Sequence, residues 1–224
     1  MPFDCPDIAD YANVSALNRA FLLLLSRRQR CRRWLAALPD LLIARISTLS
    51  PGQIDRLAKA PFLLFSVRER DDRFWDRLLG DAGNGDLFEP RERGSDDIRG
   101  LSTATLGFVW QVANKNPYTA RLICGASLHW CELIAEQTLQ RLLAAAATRN
   151  DLLCLRCPAD SRLWAKLLHG GVSPEQELRL AAHLTALRIM LREPAPGSAV
   201  EWASAACASR QPQLQIAERR GTDI

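Results

Sequence analysis

The stretch that most constrains this chain runs from Leu49 to Leu79, LSPGQIDRLAKAPFLLFSVRERDDRFWDRLL. Ser50, Pro51 and Gln53 form a helix start. The serine hydroxyl accepts from one orphan N–H, the glutamine reaches back to another, and proline suits the first helical position. Ile54, Leu57 and Ala58 then share one face, with Asp55, Arg56 and Lys59 turned away. Pro61 ends the helix, because its ring clashes with the preceding turn and it supplies no N–H. The next six residues, Phe62 to Val67, are almost wholly apolar and too short for a helix of their own. A buried extended segment and the start of a new helix both suit them. Phe74, Trp75, Leu78 and Leu79 add an amphipathic turn. None of these side chains reads as catalytic, and the block is a device for packing.

The 224 residues suffice for one domain or two small ones, and 48% hydrophobic with 24% charged residues can bury a core. The net charge of +4 is carried almost entirely by arginine; Lys59, Lys115 and Lys166 are the lysines. A dedicated DNA-binding domain is more often clearly basic over one face. The N-terminus MPFDCPDIAD has no basic segment ahead of an apolar run, and Phe21 to Leu25 is too short to span a bilayer. These features, with an odd number of cysteines (seven), predict a cytoplasmic protein with reduced thiols and no membrane association.

Residues 1–14 read as an irregular lead-in. Leu17, Phe21, Leu24, Cys31, Leu35 and Leu38 then recur in a three-and-four rhythm, predicting a helix over 15–36 with an apolar seam suited to a second copy. Leu41 to Ile46 is a further short helix. Residues 80–100, with five glycines, one proline and dense charge, read as a linker. Beyond it Ser102 is the expected cap of a helix carrying Leu106, Val109, Trp110 and Ala113. Asn116-Pro117 opens a long helical stretch to about Thr148, bent at Gly125. Ala144 to Ala147 form helix with little to pack. Ser161 to Leu168 make another turn or two, ended by Gly170-Gly171, and Ser173 to Gln176 open a last helix to about Arg192. The expectation is an all-α chain of two small helical modules. They are 1–79 and a C-terminal helical domain over 101–193, joined by the 80–100 linker and followed by a mostly disordered tail over 194–224.

Three groupings bear on chemistry. RRQRCRR places Arg27, Arg28, Arg30, Arg32 and Arg33 within seven positions. They form either a nucleic-acid contact through bidentate phosphate binding or a solvated helix face. Cys154-Leu155-Arg156-Cys157 is a single CxxC. Zinc needs a second pair or two further ligands, for which His129, Cys131 and Cys124 are the nearest candidates, and packing among Leu152, Leu153 and Leu155 is the other reading. His129 beside Trp130 reads as a hydrogen-bonded structural histidine. Glu132 and Glu136 share a helix face with no second pair opposite to complete a di-metal site. With no nucleophile elbow, phosphate loop, dinucleotide fingerprint or HExxH, the expectation is no enzyme, no catalytic residue and no cofactor.

Residues 15–79 resemble the flagellar transcriptional regulator FlhD family. The matching pieces are the helix LNRAFLLLLSRR (Leu17 to Arg28), LSPGQIDRLAKAPFLLFSVR (Leu49 to Arg68) and DDRFWDRLL. The family shows the same order of a first helix, an LT-P-QI--LA helix, an apolar segment and an acidic stretch before a short final helix. It departs from the family by some 120 residues after the linker. The resemblance implies a helical, dimeric transcription-regulatory protein that pairs with another regulatory subunit or transcription factor, which carries much of the DNA contact. The alternative, apart from the resemblance, is an adaptor or anti-activator that sequesters another regulator without touching nucleic acid. The expected interface is Leu17, Phe21, Leu24 and Leu25, supported by Phe62 and Phe65.

Overall fold

The computed structural model describes residues 6–26, 35, 38–81, 96–149, 151–156 and 161–191. Arg27, Arg28, Arg30, Arg32, Arg33, Cys157, residues 82–95 of the expected linker and the expected tail over 194–224 lie outside the described residues. The fold is all-α: helices of one to five turns surround a single two-residue strand pair.

Helix α1 (Ile8–Ser26) begins well before the expected position 15. A reciprocal pair starts it: the Asp7 N–H donates to Asp10 Oδ2 (3.0 Å) and the Asp10 N–H to Asp7 Oδ1 (2.8 Å). This is the capping-box arrangement built from two aspartates, so the supposed lead-in is helix from residue 8. Lys115 Nζ donates to Asp7 Oδ2 (2.6 Å), which ties this end to the end of helix α5 (Asp96–Lys115). Helix α2 (Asp40–Ser47) follows, then α3 (Pro51–Ala58), whose Ser50–Gln53 capping box is fully formed. Phe62 to Val67 take the extended alternative, with every residue buried; Phe65–Ser66 is strand β1. Helix α4 (Asp72–Asp81) closes the block.

The first five residues of α5, 96–100, fall in the expected linker, and Ser102 is no cap. It is buried inside the helix, its hydroxyl bonded back to the Ile98 carbonyl (2.9 Å), the alternative that serine takes within a helix. The expected long stretch after Asn116 is three helices: α6 (Pro117–Cys124), α7 (Leu128–Ala135) and α8 (Leu139–Thr148). Asn116, Ser127 and Thr138 each cap one, with side-chain oxygens accepting from main-chain N–H groups ahead of them. Gly125 breaks the first with φ 65°, the left-handed conformation that glycine adopts without strain. Ala144, Ala145 and Ala146 are buried rather than idle, because α8 lies closely along α5 and small side chains permit that approach.

Strand β2 (Cys154–Leu155) pairs antiparallel with β1, Phe65 opposite Leu155 and Ser66 opposite Cys154. Helix α9 (Ser161–Lys166) runs into a π turn, Leu167–Gly171, and α10 (Gln176–Leu191) packs across both. A Cβ at Gly170 would lie 2.8 Å from the Ala182 Cβ, so this crossing admits glycine alone. The elements before and after 80–100 are interleaved: α1 packs on α5, α4 on α8, and α2 and α3 on the π turn. Arg45 and Arg56 donate to the Leu168 and Val172 carbonyls (3.0 and 2.8 Å). Modules 1–79 and 101–193 therefore contribute to one shared hydrophobic core.

That core contains Leu17, Phe21, Leu24, Leu25, Phe62 and Phe65, all buried within the chain itself. The Phe21 and Phe65 rings stack at 4.8 Å. The seam of α1 thus finds its partner in α3 and the extended segment, and these six residues are core rather than an outward interface. At the middle of the seam lies Asn18, with no exposure. Its Nδ2 donates to the carbonyls of Phe62 (2.8 Å), Ala58 (3.2 Å) and Ala60 (3.4 Å), and its Oδ1 accepts from the Leu64 N–H (2.8 Å). Asn18→Leu leaves buried main-chain groups unpaired at about 1–3 kcal/mol each. We expect a loss of at least about 2 kcal/mol in urea unfolding. Asn18→Asp should be no milder, because it sets carboxylate oxygen against three carbonyls.

Candidate functional site

Arg156, the residue inside the CxxC, is 3% exposed and Glu69 2%. The Arg156 Nε donates to the Leu63 carbonyl (2.7 Å) and Nη2 to the Phe65 carbonyl (2.5 Å). Nη1 donates to the Cys124 carbonyl (2.7 Å) and to Glu69 Oε1 (2.9 Å). Glu69 Oε2 in turn accepts from the Ser66 hydroxyl (2.6 Å) and the Val67 N–H (2.9 Å). The planar fork of arginine suits this convergence of carbonyls, which lysine could not satisfy as a set. Gly125 makes room for it: a Cβ there would lie 3.1 Å from Arg156 Nη1 and 3.0 Å from Met190 Cε. The Trp164 indole N–H donates to the Arg156 carbonyl (2.9 Å), anchoring α9 to the same point.

One layer out, Arg68 holds φ 60°, the left-handed region that non-glycine residues seldom occupy. Its main chain is fixed on both sides, the N–H donating to Ser66 Oγ (3.0 Å) and the carbonyl accepting from Trp75 Nε1 (3.0 Å). Its guanidinium lies 4.0 Å from the Phe74 ring centroid and pairs with Asp71 (2.6 Å) and Asp151 (3.3 Å). Arg70 donates to the Gly125 and Met190 carbonyls, joining this loop to α10. Arg156, Glu69 and Arg70 thus hold main chain, and Arg68 holds two aspartates.

The thiols share that character. Burial pushes Cys124 well above its ordinary pKa, and burial together with the nearby Glu69 carboxylate pushes Cys131 up to about 12. Both shifts favour the neutral thiol, the less nucleophilic form. Cys154 is half-buried on β2. Among the described residues no three His, Cys, Asp or Glu side chains converge on a metal position. His129, expected as a bonded structural histidine, is exposed on α7. The buried histidine is His183 on α10, edge-on to Phe62 with ring centroids 6.3 Å apart. Its Nε2 has no partner among the described residues. Burial first, and Arg179 second, hold its pKa below the ordinary 6.5.

Sequence reasoning missed Asn18, Glu69 and Arg156: Asn18 and Arg156 each stand as a polar residue beside an apolar pattern, whereas Glu69 lies in the charged run Arg68 to Asp72 and gives no such signal. Asn18 sits four residues after Val14 and three before Phe21, on the buried stripe of α1; Arg156 follows Leu152, Leu153 and Leu155. No described helix is long and apolar enough to cross a membrane. Comparison with known proteins gives no match: no family model, curated protein or solved structure aligns significantly with the chain.

Removing one partner of a buried ion pair strands the other, at about 3–5 kcal/mol. Arg156→Met is expected to lose that much in denaturant unfolding, and Glu69→Gln less, because its amide oxygen still accepts from Ser66 and Val67. The double variant should lose less than the sum. A second expectation concerns acid. The unfolded chain protonates its histidine before the folded chain does. The His183 contribution is therefore intact above about 6.5 and is lost as pH falls from there towards the depressed folded value. Melting temperature should drop over that window, and His183→Phe should flatten part of the drop.

Proposed function

We propose that the chain is a helical regulatory protein that acts through protein contact, associating with itself and with another regulatory subunit or transcription factor. The observation that carries this reading is on the outer side of α10. Leu180 and Leu184 are 56% and 59% exposed, and Leu187 and Leu191 continue the same row, partly covered. A row of leucines on a surface helix is the mark of a contact face. The interior lends support, since its buried charged groups are engaged with main chain and leave binding rather than catalysis as the role. The transcriptional part rests on the pattern shared with the FlhD family over 15–79.

The second reading, an adaptor that sequesters a regulator without contacting nucleic acid, is favoured by a specific feature. The α1 seam is filled by the chain's own segments, so the protein folds without borrowing a partner's surface. The test is affinity capture of the full chain from its native cell, with and without nuclease. A stoichiometric regulatory polypeptide that survives nuclease supports protein-mediated action. Recovery of DNA with a steep decline between low and moderate salt would instead assign the role to phosphate contacts by Arg27, Arg28, Arg30, Arg32 and Arg33. Recovery of neither overturns the regulatory reading.

A further inference from the structure

We propose that the occupant of the α10 leucine row is α10 of a second copy of this chain, crossing antiparallel about a two-fold axis near Ala182. The proposal deepens the reading above, and rests on it for the claim that the face is used at all.

Helix α10 has two opposed faces. Ala182, His183, Ala186 and Met190 point into the fold, Leu180 and Leu184 point to solvent, and Leu187 and Leu191 continue their row at the edge of the core, partly covered. The row recurs at four- and three-residue steps, the spacing of a helix–helix seam. Bordering it are two charges, Glu177 and Arg188, both exposed and without an ion-pair partner among the described residues. They lie about three turns apart on one side, roughly 16 Å along the axis. Ala181 beside them is small and exposed, leaving space for a close crossing.

These positions carry their own complement. Turning the helix end for end about its middle places Leu180 against Leu184 of the second copy, and Leu184 against its Leu180. The same rotation brings Glu177 next to Arg188 of the second copy, twice. A parallel pairing would set Glu177 against Glu177 and Arg188 against Arg188. An isologous antiparallel contact is thus the arrangement in which the exposed Leu180–Leu184 pair and the charges both match. Among the described residues the principal packing of α10 is on α9 and the π turn, and Leu180 and Leu184 stay exposed. A single pair of helices four to five turns long is a small interface, so the dimer is a weak, concentration-dependent one.

The test is sedimentation equilibrium of the full chain over a concentration series. The expected result is a reversible monomer–dimer equilibrium. Leu184→Arg, at a position that contributes nothing to the core, should abolish the dimer while leaving the circular dichroism spectrum unchanged. Glu177→Arg and Arg188→Glu should each weaken dimerisation by about two- to tenfold, the scale of exposed ion pairs, and the double swap should restore it. A strictly monomeric chain overturns the proposal. So does a dimer indifferent to Leu184→Arg, or single charge variants that the double does not rescue. A monomer that still captures a regulatory polypeptide overturns self-pairing alone and leaves the functional reading standing; a dimer that captures none does the reverse.

Discussion

The structure depends on solving one problem: how to bury an extended segment that has almost no sheet to belong to. Phe62 to Val67 are fully enclosed, yet the strand pair that receives them is two residues long. Main-chain N–H and C=O groups withdrawn from water need partners. Here side chains supply five of them. Asn18 takes the Phe62 carbonyl and the Leu64 N–H, Arg156 takes the Leu63 and Phe65 carbonyls, and Glu69 takes the Val67 N–H. The Leu63 N–H goes to the Ile123 carbonyl (2.9 Å). Asparagine, arginine and glutamate do what neighbouring strands do in a sheet.

Because those side chains come from far apart in sequence, meeting the demand also assembles the chain. Asn18 brings α1, Arg156 brings β2 and the end of α6, and Glu69 closes the loop on itself. An exposed pair such as Arg19–Asp55, with both side chains about half in solvent, is worth little by comparison. The Arg156–Glu69 pair is enclosed, and its worth lies in specificity: desolvating two charges is offset only where every bond is made, so wrong pairings of the extended segment are penalised. The left-handed Arg68 follows from the same demand, since the chain must turn sharply after Val67 to return Glu69 beneath its own backbone.

What was legible in the sequence was whatever local chemistry decides. The Ser50–Gln53 box, Pro51 and the stop before Pro61 depend on a few adjacent residues and agree with the structure, while the amphipathic turn expected over Phe74–Leu79 is the middle of a longer helix, Asp72–Asp81. Helix starts failed where a cap was written in unfamiliar residues, as in Asp7–Asp10, or where one long apolar periodicity hid breaks at Gly125 and Thr138. The apolar rhythm of α1 was right, but periodicity says only that a face is covered and never by what. Leu17, Phe21, Leu24 and Leu25 were read as outward-facing because their cover lies more than thirty residues away. The polar centre was hidden for the same reason: Arg156 and Glu69 acquire meaning only once β2 is brought beside β1.

A closed interior moves the question of function outward. Leu17, Phe21, Leu24 and Leu25 of α1 are spent on folding, and so are Arg156 and Glu69, so the proposed contacts fall to surfaces outside this core. On α10 the inward face is Ala182, His183, Ala186 and Met190 with a glycine-limited crossing at Gly170, and the exposed Leu180 and Leu184 lie outside that packing. Leucine there costs solubility unless something covers it, and a surface that is both apolar and matched in charge to its own reverse is one that a second identical surface covers best. The extended segment and its polar side chains secure the described fold, and the proposed pairing rests on a different element, α10, through the side chains that this fold leaves exposed.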